Sequence, residues 1–163
     1  MIKNVIIAFY LFSTPILSQS KAETEKWILD KYNEYESSEN RTRELVFDEG
    51  KLYYLWILTE NYGHWTEIAI KNIEQIKIHH ERFNPEDEEG WDEITLYFET
   101  GKSRIKDAKP SEDDTYKISE QTSIDIKLSE YFIKEGLKPR MEKALLHLIK
   151  AYGGNATIKK DAF

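Results

Sequence analysis

The chain of 163 residues contains no cysteine. It therefore has no disulfide framework, no thiol nucleophile and no cysteine to acylate behind a signal peptide. Secreted eukaryotic domains of this size often carry disulfides, so an exported chain that has none points to a bacterial envelope.

The chain also has no excess of basic residues. It contains 23 lysines and arginines and 30 aspartates and glutamates, which gives a net charge of −7. Proteins that bind nucleic acid or anionic lipid neutralise phosphates with basic side chains. We therefore expect neither as a partner. The sequence also lacks the Gly-x-Ser-x-Gly elbow of α/β-hydrolases and the His-Glu-x-x-His pattern of zinc peptidases.

The apolar run from Val5 to Phe12 is too short to span a membrane, which takes about 20 apolar residues. Lys3 precedes this run, and the small residues Ser18 and Ser20 follow it. The pattern predicts a signal peptide over residues 1–20 and export to the periplasm or the cell exterior. An uncleaved membrane anchor is the alternative; after cleavage no membrane span would be left.

Cleavage after residue 20 leaves 143 residues with a charge of about −8, since Lys3 is lost. A chain of this length is typically one domain with one core, and it needs no metal or disulfide for stability. We assign residues 21–154 to a single domain and residues 155–163, which follow two glycines, to a loose tail. We expect a monomer without a cofactor.

Two amphipathic helices are predicted at the ends of this domain. The first, at residues 23–35, carries an aromatic stripe, and the last ends at Gly153. The first stripe consists of Trp27, Ile28, Tyr32 and Tyr35; the second consists of Leu137, Met141, Ala144, Leu145, Leu148 and Tyr152. Ser20 and Glu23 match a capping box in front of the first helix of the precursor, and cleavage after Ser20 would delete this cap.

Between the helices, apolar and polar residues alternate, which predicts seven antiparallel strands in meander order. They are Glu44–Phe47, Leu52–Thr59, Trp65–Ile70, Ile73–His80, Glu93–Thr100, Ser103–Lys106 and Ser123–Leu128. The strand from Leu52 is apolar on both faces, so its outer side needs a cover. We expect the first helix to provide it.

Two sequence segments carry a resemblance to a known group of proteins. Glu25-Lys26-Trp27-Ile28 and the stretch from Arg140 to Lys150 resemble the flanking helices of small exported proteins of Bacteroidota with a pleckstrin-homology-like fold. The resemblance implies an α+β fold: a seven-stranded antiparallel barrel between an N-terminal helix and a C-terminal amphipathic helix. It implies no established activity, and the basic cluster of phosphoinositide-binding members is missing.

Acidic residues cluster in one predicted hairpin and are the candidate metal ligands of the sequence. They are Glu86, Asp87, Glu88, Glu89 and Asp92. Their spacing is not that of an EF-hand loop, and a solvated hairpin tip is the simpler interpretation. His79 and His80 adjoin the hairpin. Neighbouring residues of a strand point to opposite faces, so the two histidines cannot share one metal, and one of them should lie on the apolar face.

Aromatic side chains on or near the sheet offer a possible ligand surface, because exposed rings give a large contact area at low entropic cost. The candidates are Tyr62, Trp65, Trp91 and Tyr97, with burial in the core as the alternative. We therefore predict a non-enzymatic interaction or structural module of the envelope that binds an unidentified protein or peptide. The alternative is a small hydrolase or metal-dependent enzyme that uses His79, His80 and the acidic loop 86–92.

Overall fold

The computed structural model describes residues 20–36, 43–59, 62–84, 86, 89–107 and 115–160. These residues form three α-helices and nine strands. In chain order the elements are α1 (Lys21–Tyr35), β1 (Arg43–Asp48), β2 (Lys51–Thr59), β3 (Tyr62–Ala69), a 3-10 helix (Ile70–Asn72), β4 (Gln75–Arg82), β5 (Gly90–Tyr97), β6 (Ser103–Asp107), β7 (Lys117–Ile118), β8 (Ser123–Leu128), α2 (Tyr131–Lys134), α3 (Lys138–Ala151) and β9 (Thr157–Ile158). The predicted α+β class, with a leading helix, antiparallel strands and a closing helix, is confirmed.

The nine described strands form two sheets and do not close into one barrel. One sheet has the order β1-β2-β3-β6-β7 and the other the order β8-β5-β4-β9. The 3-10 helix after β3 turns the chain into the second sheet, and β6 then returns to pair with β3. The wiring is therefore not the predicted meander. Two of the strands, β7 and β9, have two residues each and are too short to show alternation.

Alternating apolar side chains give the second sheet one buried face. Its inward side chains are Ile76, Ile78, Ile94, Leu96, Ile124, Ile126 and Leu128, and all are buried. The register places Ile76 opposite Leu96 and Leu96 opposite Ile124, so the three strands share one apolar face. Helix α3 packs against β4 and α2 against β5.

Helix α1 begins behind the predicted capping box. The Ser20 hydroxyl accepts a hydrogen bond from the Glu23 backbone N–H, and the Ser20 backbone N–H donates to the Glu23 carboxylate at 2.8 Å. The helix packs against α3 and β1. Tyr35 contacts Phe132 edge to face, with ring centroids 5.6 Å apart, and Tyr152 donates a hydrogen bond to Glu25.

The prediction that α1 covers the outer side of β2 is wrong. The hydroxyl of Tyr32 on α1 lies near Tyr54 and Arg43, and Tyr54 is buried on the same side of the sheet as Leu52. Helix α1 therefore lies on the inner side of the first sheet. An aromatic stripe indicates that a helix is packed, but it does not say against what.

The predicted loose tail is also wrong for the residues that the structure describes. The Thr157 backbone N–H donates to the Glu74 carbonyl at 2.9 Å, and that of Lys159 donates to the Ile76 carbonyl at 2.8 Å. β9 thus pairs in parallel with β4. Ala156 and Ile158 add contacts to the core. None of the helices in the described ranges is both long and apolar enough to cross a membrane.

Candidate functional site

The outer side of the first sheet presents an apolar surface that no described helix packs against. Strand register places Tyr53 opposite Val46, and Leu55 opposite Trp65, on this side. We call the surface the outer aromatic face; it consists of Val46, Tyr53, Leu55, Ile57, Trp65 and Tyr116, all partly exposed. Tyr116 lies beside Tyr53, with ring centroids 6.2 Å apart.

Charged residues flank this face unevenly. Glu44 and Asp48 on β1 are exposed at one edge, whereas Arg104 and Lys106 on β6 lie toward the other edge. Between them, Lys51 pairs with the buried Glu67 at 3.2 Å, and this ion pair raises the pKa of Lys51. The face therefore has an apolar centre, an acidic edge and a basic edge.

The four aromatics predicted as a ligand surface do not form one surface. Trp65 lies on the outer aromatic face, whereas Trp91 and Tyr97 lie on β5 in the second sheet. Both β5 residues are partly exposed on the polar side of that sheet. Tyr97 lies under the Lys159 ammonium at 3.8 Å from the ring centroid. The side chain of Tyr62 lies outside the described part of the chain.

On the polar side of the second sheet, His79 and Glu81 lie on β4 opposite Glu93 and Trp91 of β5. The His79 Nε2 atom lies 2.7 Å from Glu81 Oε1 and 3.9 Å from Glu93 Oε1. Trp91 Nε1 donates to Glu93 Oε2, and the Thr95 hydroxyl donates to Glu93 Oε1, both at 3.2 Å. The group brings one imidazole and two carboxylates together.

His80 lies on the opposite side of β4, which confirms that one histidine faces the apolar side. Its Nδ1 atom donates to Asp92 Oδ1 at 2.9 Å. Asp92 is fully buried, and its other oxygen accepts a hydrogen bond from the Ile133 backbone N–H at 2.7 Å. The pair joins β4 and β5 to α2 and has the character of a structural link. His79 and His80 therefore form no common site.

The acidic loop does not gather the ligands predicted from the sequence. Asp92 belongs to β5 and points away into the core, because the strand begins at Gly90. Glu86 and Glu89 are exposed in the β4–β5 hairpin. Asp87 and Glu88 lie outside the described residues. The hairpin closes with a hydrogen bond from the Phe83 N–H to the Glu89 carbonyl at 3.3 Å.

A cavity of about 500 Å³ opens between α1 and β1. Its lining includes Tyr32, Glu36, Arg43 and Glu44. Arg43 and Glu36 form an ion pair at 3.8 Å. Burial is the main cause that raises the pKa of Tyr32 far above its ordinary value. The described lining of the cavity is polar, and it is not among the groups of three or more metal-ligating side chains found in the described residues.

Sequence reasoning missed two members of the histidine group, Glu81 and Glu93, as partners of His79. A signal for Glu81 was present, since residues two apart on a strand share a face. Glu93 becomes its neighbour only through the β4–β5 register, which depends on the length of the connecting hairpin. The outer aromatic face includes one side of the strand from Leu52, which the sequence shows to be apolar on both faces. We expected the first helix to cover that side.

Comparison with known proteins gives no match to a family model, to a curated protein or to a solved structure.

Proposed function

We propose that the protein is a non-enzymatic interaction module of the bacterial envelope, which binds a protein or peptide partner through the outer aromatic face. The observation that carries the proposal is the apolar surface of β2 and β3 that α1 leaves uncovered. Partly exposed Tyr and Trp rings are the side chains that contribute most to the centres of protein interfaces.

The charge pattern supports one particular chemistry for the partner. An apolar centre with Glu44 and Asp48 at one edge and Arg104 and Lys106 toward the other favours a partner with the reverse polarity. Its surface would present basic groups toward β1 and acidic groups toward β6. Such complementarity sets orientation and association rate more than affinity.

Export and a monomeric state belong to the same proposal. Residues 1–20 carry the charged start, the apolar run and the small residues of a signal peptide, and the first element of the fold begins at Lys21. Kinship with pleckstrin-homology-like proteins is supported by the order of helix, antiparallel strands and helix. The pairing of β3 with β6 opposes it, since a meander barrel has no such pair.

The alternative of a metal-dependent enzyme that uses both histidines and the acidic loop receives no support. His79 and His80 lie on opposite faces of β4, and Asp92 is buried against His80 rather than in the loop. We therefore keep the interaction module as the proposed function.

Site-specific photo-crosslinking in the native host tests this proposal. A photoreactive amino acid replaces Leu55 on the outer aromatic face, and in a matched control it replaces Tyr131, which is 56% exposed on α2. We expect a discrete adduct only from position 55. Reversing the charges in the double variant R104E/K106E should weaken that adduct, and thermal unfolding checks that the variant is folded, because Arg104 lies opposite Glu67 in the register and Lys106 lies over the Tyr116 ring.

Three outcomes would overturn the proposal. Equal adducts from both positions would mean non-specific capture. An adduct that is insensitive to the double charge reversal would contradict the stated partner chemistry. An adduct with the mass of two copies of this chain would replace the external partner by self-association, which light scattering on the purified protein would detect independently.

A further inference from the structure

We propose that His79, Glu81 and Glu93 form a binding site for a zinc-class divalent metal ion on the polar side of the second sheet. The inference is independent of the outer aromatic face, because it rests on β4 and β5 rather than on β2 and β3. Sequence spacing had pointed to the acidic loop instead.

The geometry supplies three donor atoms from two adjacent strands. His79 and Glu81 are two apart on β4, and Glu93 is directly opposite His79 on β5. One atom of each side chain lies within 4.8 Å of the other two. Ligands about 2.1 Å from a tetrahedral ion lie about 3.4 Å from each other. The observed 2.7 Å and 3.9 Å from His79 Nε2 bracket that value.

The donor types select the metal. One imidazole nitrogen and two carboxylate oxygens suit zinc and its neighbours among the first-row transition metals. Calcium takes six to eight oxygen ligands and magnesium an octahedron of oxygens, so neither matches this set. Three protein ligands leave one position of a tetrahedral ion for water or for a donor from another molecule.

Neighbouring side chains hold the least mobile ligand in place. Glu93 is 8% exposed, and both of its oxygens accept hydrogen bonds, one from Trp91 and one from Thr95. Contacts of this kind orient metal ligands and affect affinity. Lys127, which pairs with Glu93 in the register, has its ammonium 4.1 Å from the Trp91 ring centroid. The nearby cation is thus placed against an aromatic ring.

The orientation of the His79 ring also supports the metal site. The Nδ1 atom of His79 is buried and has no hydrogen-bond partner among the described residues, whereas Nε2 faces both carboxylates. Two carboxylates thus face one imidazole nitrogen, which is a donor set that a divalent cation can bridge.

Zinc titration of the metal-stripped full domain tests the site by calorimetry and thermal unfolding. We expect a one-to-one isotherm and a rise in the unfolding midpoint, because a ligand that binds only the native state stabilises it. Cobalt should give the visible absorption of a four-coordinate site. His79→Gln and Glu81→Gln should each weaken zinc binding at least about tenfold, and Thr95→Val should weaken it about tenfold through Glu93.

Matched controls separate this site from the acidic hairpin and from non-specific binding. Glu86→Gln makes the same chemical change five residues from Glu81 on the exposed hairpin, and His147→Gln removes an exposed histidine of α3. Both should leave zinc affinity unchanged, and calcium should not move the unfolding midpoint.

The outcomes decide the matter in either direction. No zinc isotherm, or equal zinc affinity in wild type and Glu81→Gln, would overturn the site. Glu81 is 46% exposed at its side chain, so its variant is expected to fold even where a Glu93 variant does not. A calcium-induced rise that Glu86→Gln abolishes would move the metal site to the hairpin.

Discussion

At the scale of single residues, the buried carboxylate of Asp92 on β5 links β4 and α2 through two hydrogen bonds. It accepts hydrogen bonds from His80 Nδ1 at 2.9 Å and from the Ile133 N–H at 2.7 Å while fully shielded from solvent. Nothing in its sequence context distinguished it from the acidic residues before it. The β5 register turned one of five apparent loop acids into a core residue.

Asp92→Ala should destabilise the protein by about 2–4 kcal/mol. The substitution leaves the Ile133 N–H and the imidazole of His80 without an acceptor inside the core, and breaking a buried polar pair costs in this range. Urea unfolding measures the change. Asp125→Ala on β8, where the side chain is partly exposed, serves as the matched control and should lie near wild type. Similar midpoints for Asp92→Ala and wild type would contradict the structural link.

Tyr32 should be one of the few buried positions at which removing a polar atom stabilises the fold. Its hydroxyl is buried without a hydrogen-bond partner among the described residues. Tyr32→Phe removes that unsatisfied group and keeps the ring, so we expect a gain of about 1 kcal/mol in the free energy of unfolding at pH 8. Tyr131→Phe, on an exposed ring, is the control. A loss of stability in Tyr32→Phe would reveal a partner for the hydroxyl.

The raised pKa of Tyr32 also makes the free energy of unfolding depend on pH, and it fixes the sign of that dependence. Burial raises the pKa of Tyr54 to about 12, and it raises that of Tyr32 as well, whereas an unfolded tyrosine titrates near 10. A raised folded pKa contributes stability that is present below pH 10 and lost as the pH rises toward 12. Urea midpoints should therefore stay constant from pH 7 to 9 and fall above pH 10, and Tyr32→Phe should fall less steeply.

At the scale of elements, periodicity predicted what is locally encoded and missed what depends on distant partners. The strand Ser123–Leu128 and the stripe of α3 were found because alternation and helical spacing are visible within a few residues. Long-range packing determines which elements α1 contacts, why β3 pairs with β6 and why β9 forms. For the same reason His79 was noticed, while its partner Glu93 was not.

The buried face of α3 should carry much of the stability. Leu145 and Leu148 are 4% and 1% exposed, so Leu148→Ala or Leu145→Ala should cost about 2–5 kcal/mol by removing apolar contacts and leaving a cavity. Lys143→Ala on the exposed side of the same helix should change the urea midpoint little. Equal midpoints for Leu148→Ala and Lys143→Ala would show that this helix face is not packed as described.

The C-terminal segment should matter for stability, contrary to the tail that the glycines suggested. Deleting residues 155–163 removes the pairing of β9 with β4 and the contacts of Ala156 and Ile158 with the core. We expect a loss of about 1–3 kcal/mol, mainly from apolar surface returned to water. Deleting residues 161–163 alone is the control and should leave β9 intact. Equal thermal midpoints for the two deletions would show that β9 adds nothing.

At the scale of the whole molecule, the two sheets divide the chemistry of the protein between them. The outer aromatic face belongs to β1–β3 and to Tyr116 beside them, and the histidine and carboxylate group belongs to β4 and β5. The two surfaces lie on different sheets. A substitution at one should not affect the other, because the effects of distant and independent sites are additive. Leu55 variants should therefore keep zinc binding, and Glu81 variants should keep the crosslink from position 55.

Export is the whole-molecule property on which the proposed function depends. In the native host the mature protein should begin at or near Lys21 and be found outside the cytoplasm, because residues 1–20 carry the signal pattern and α1 begins at Lys21. Intact mass and cell fractionation measure this. I6R/I7R, which charges the apolar run, should keep the precursor inside the cell, whereas K160A at the far end should not. Full-length wild type in the soluble cytoplasm would remove the envelope from the proposal, and the partner would then have to be sought inside the cell.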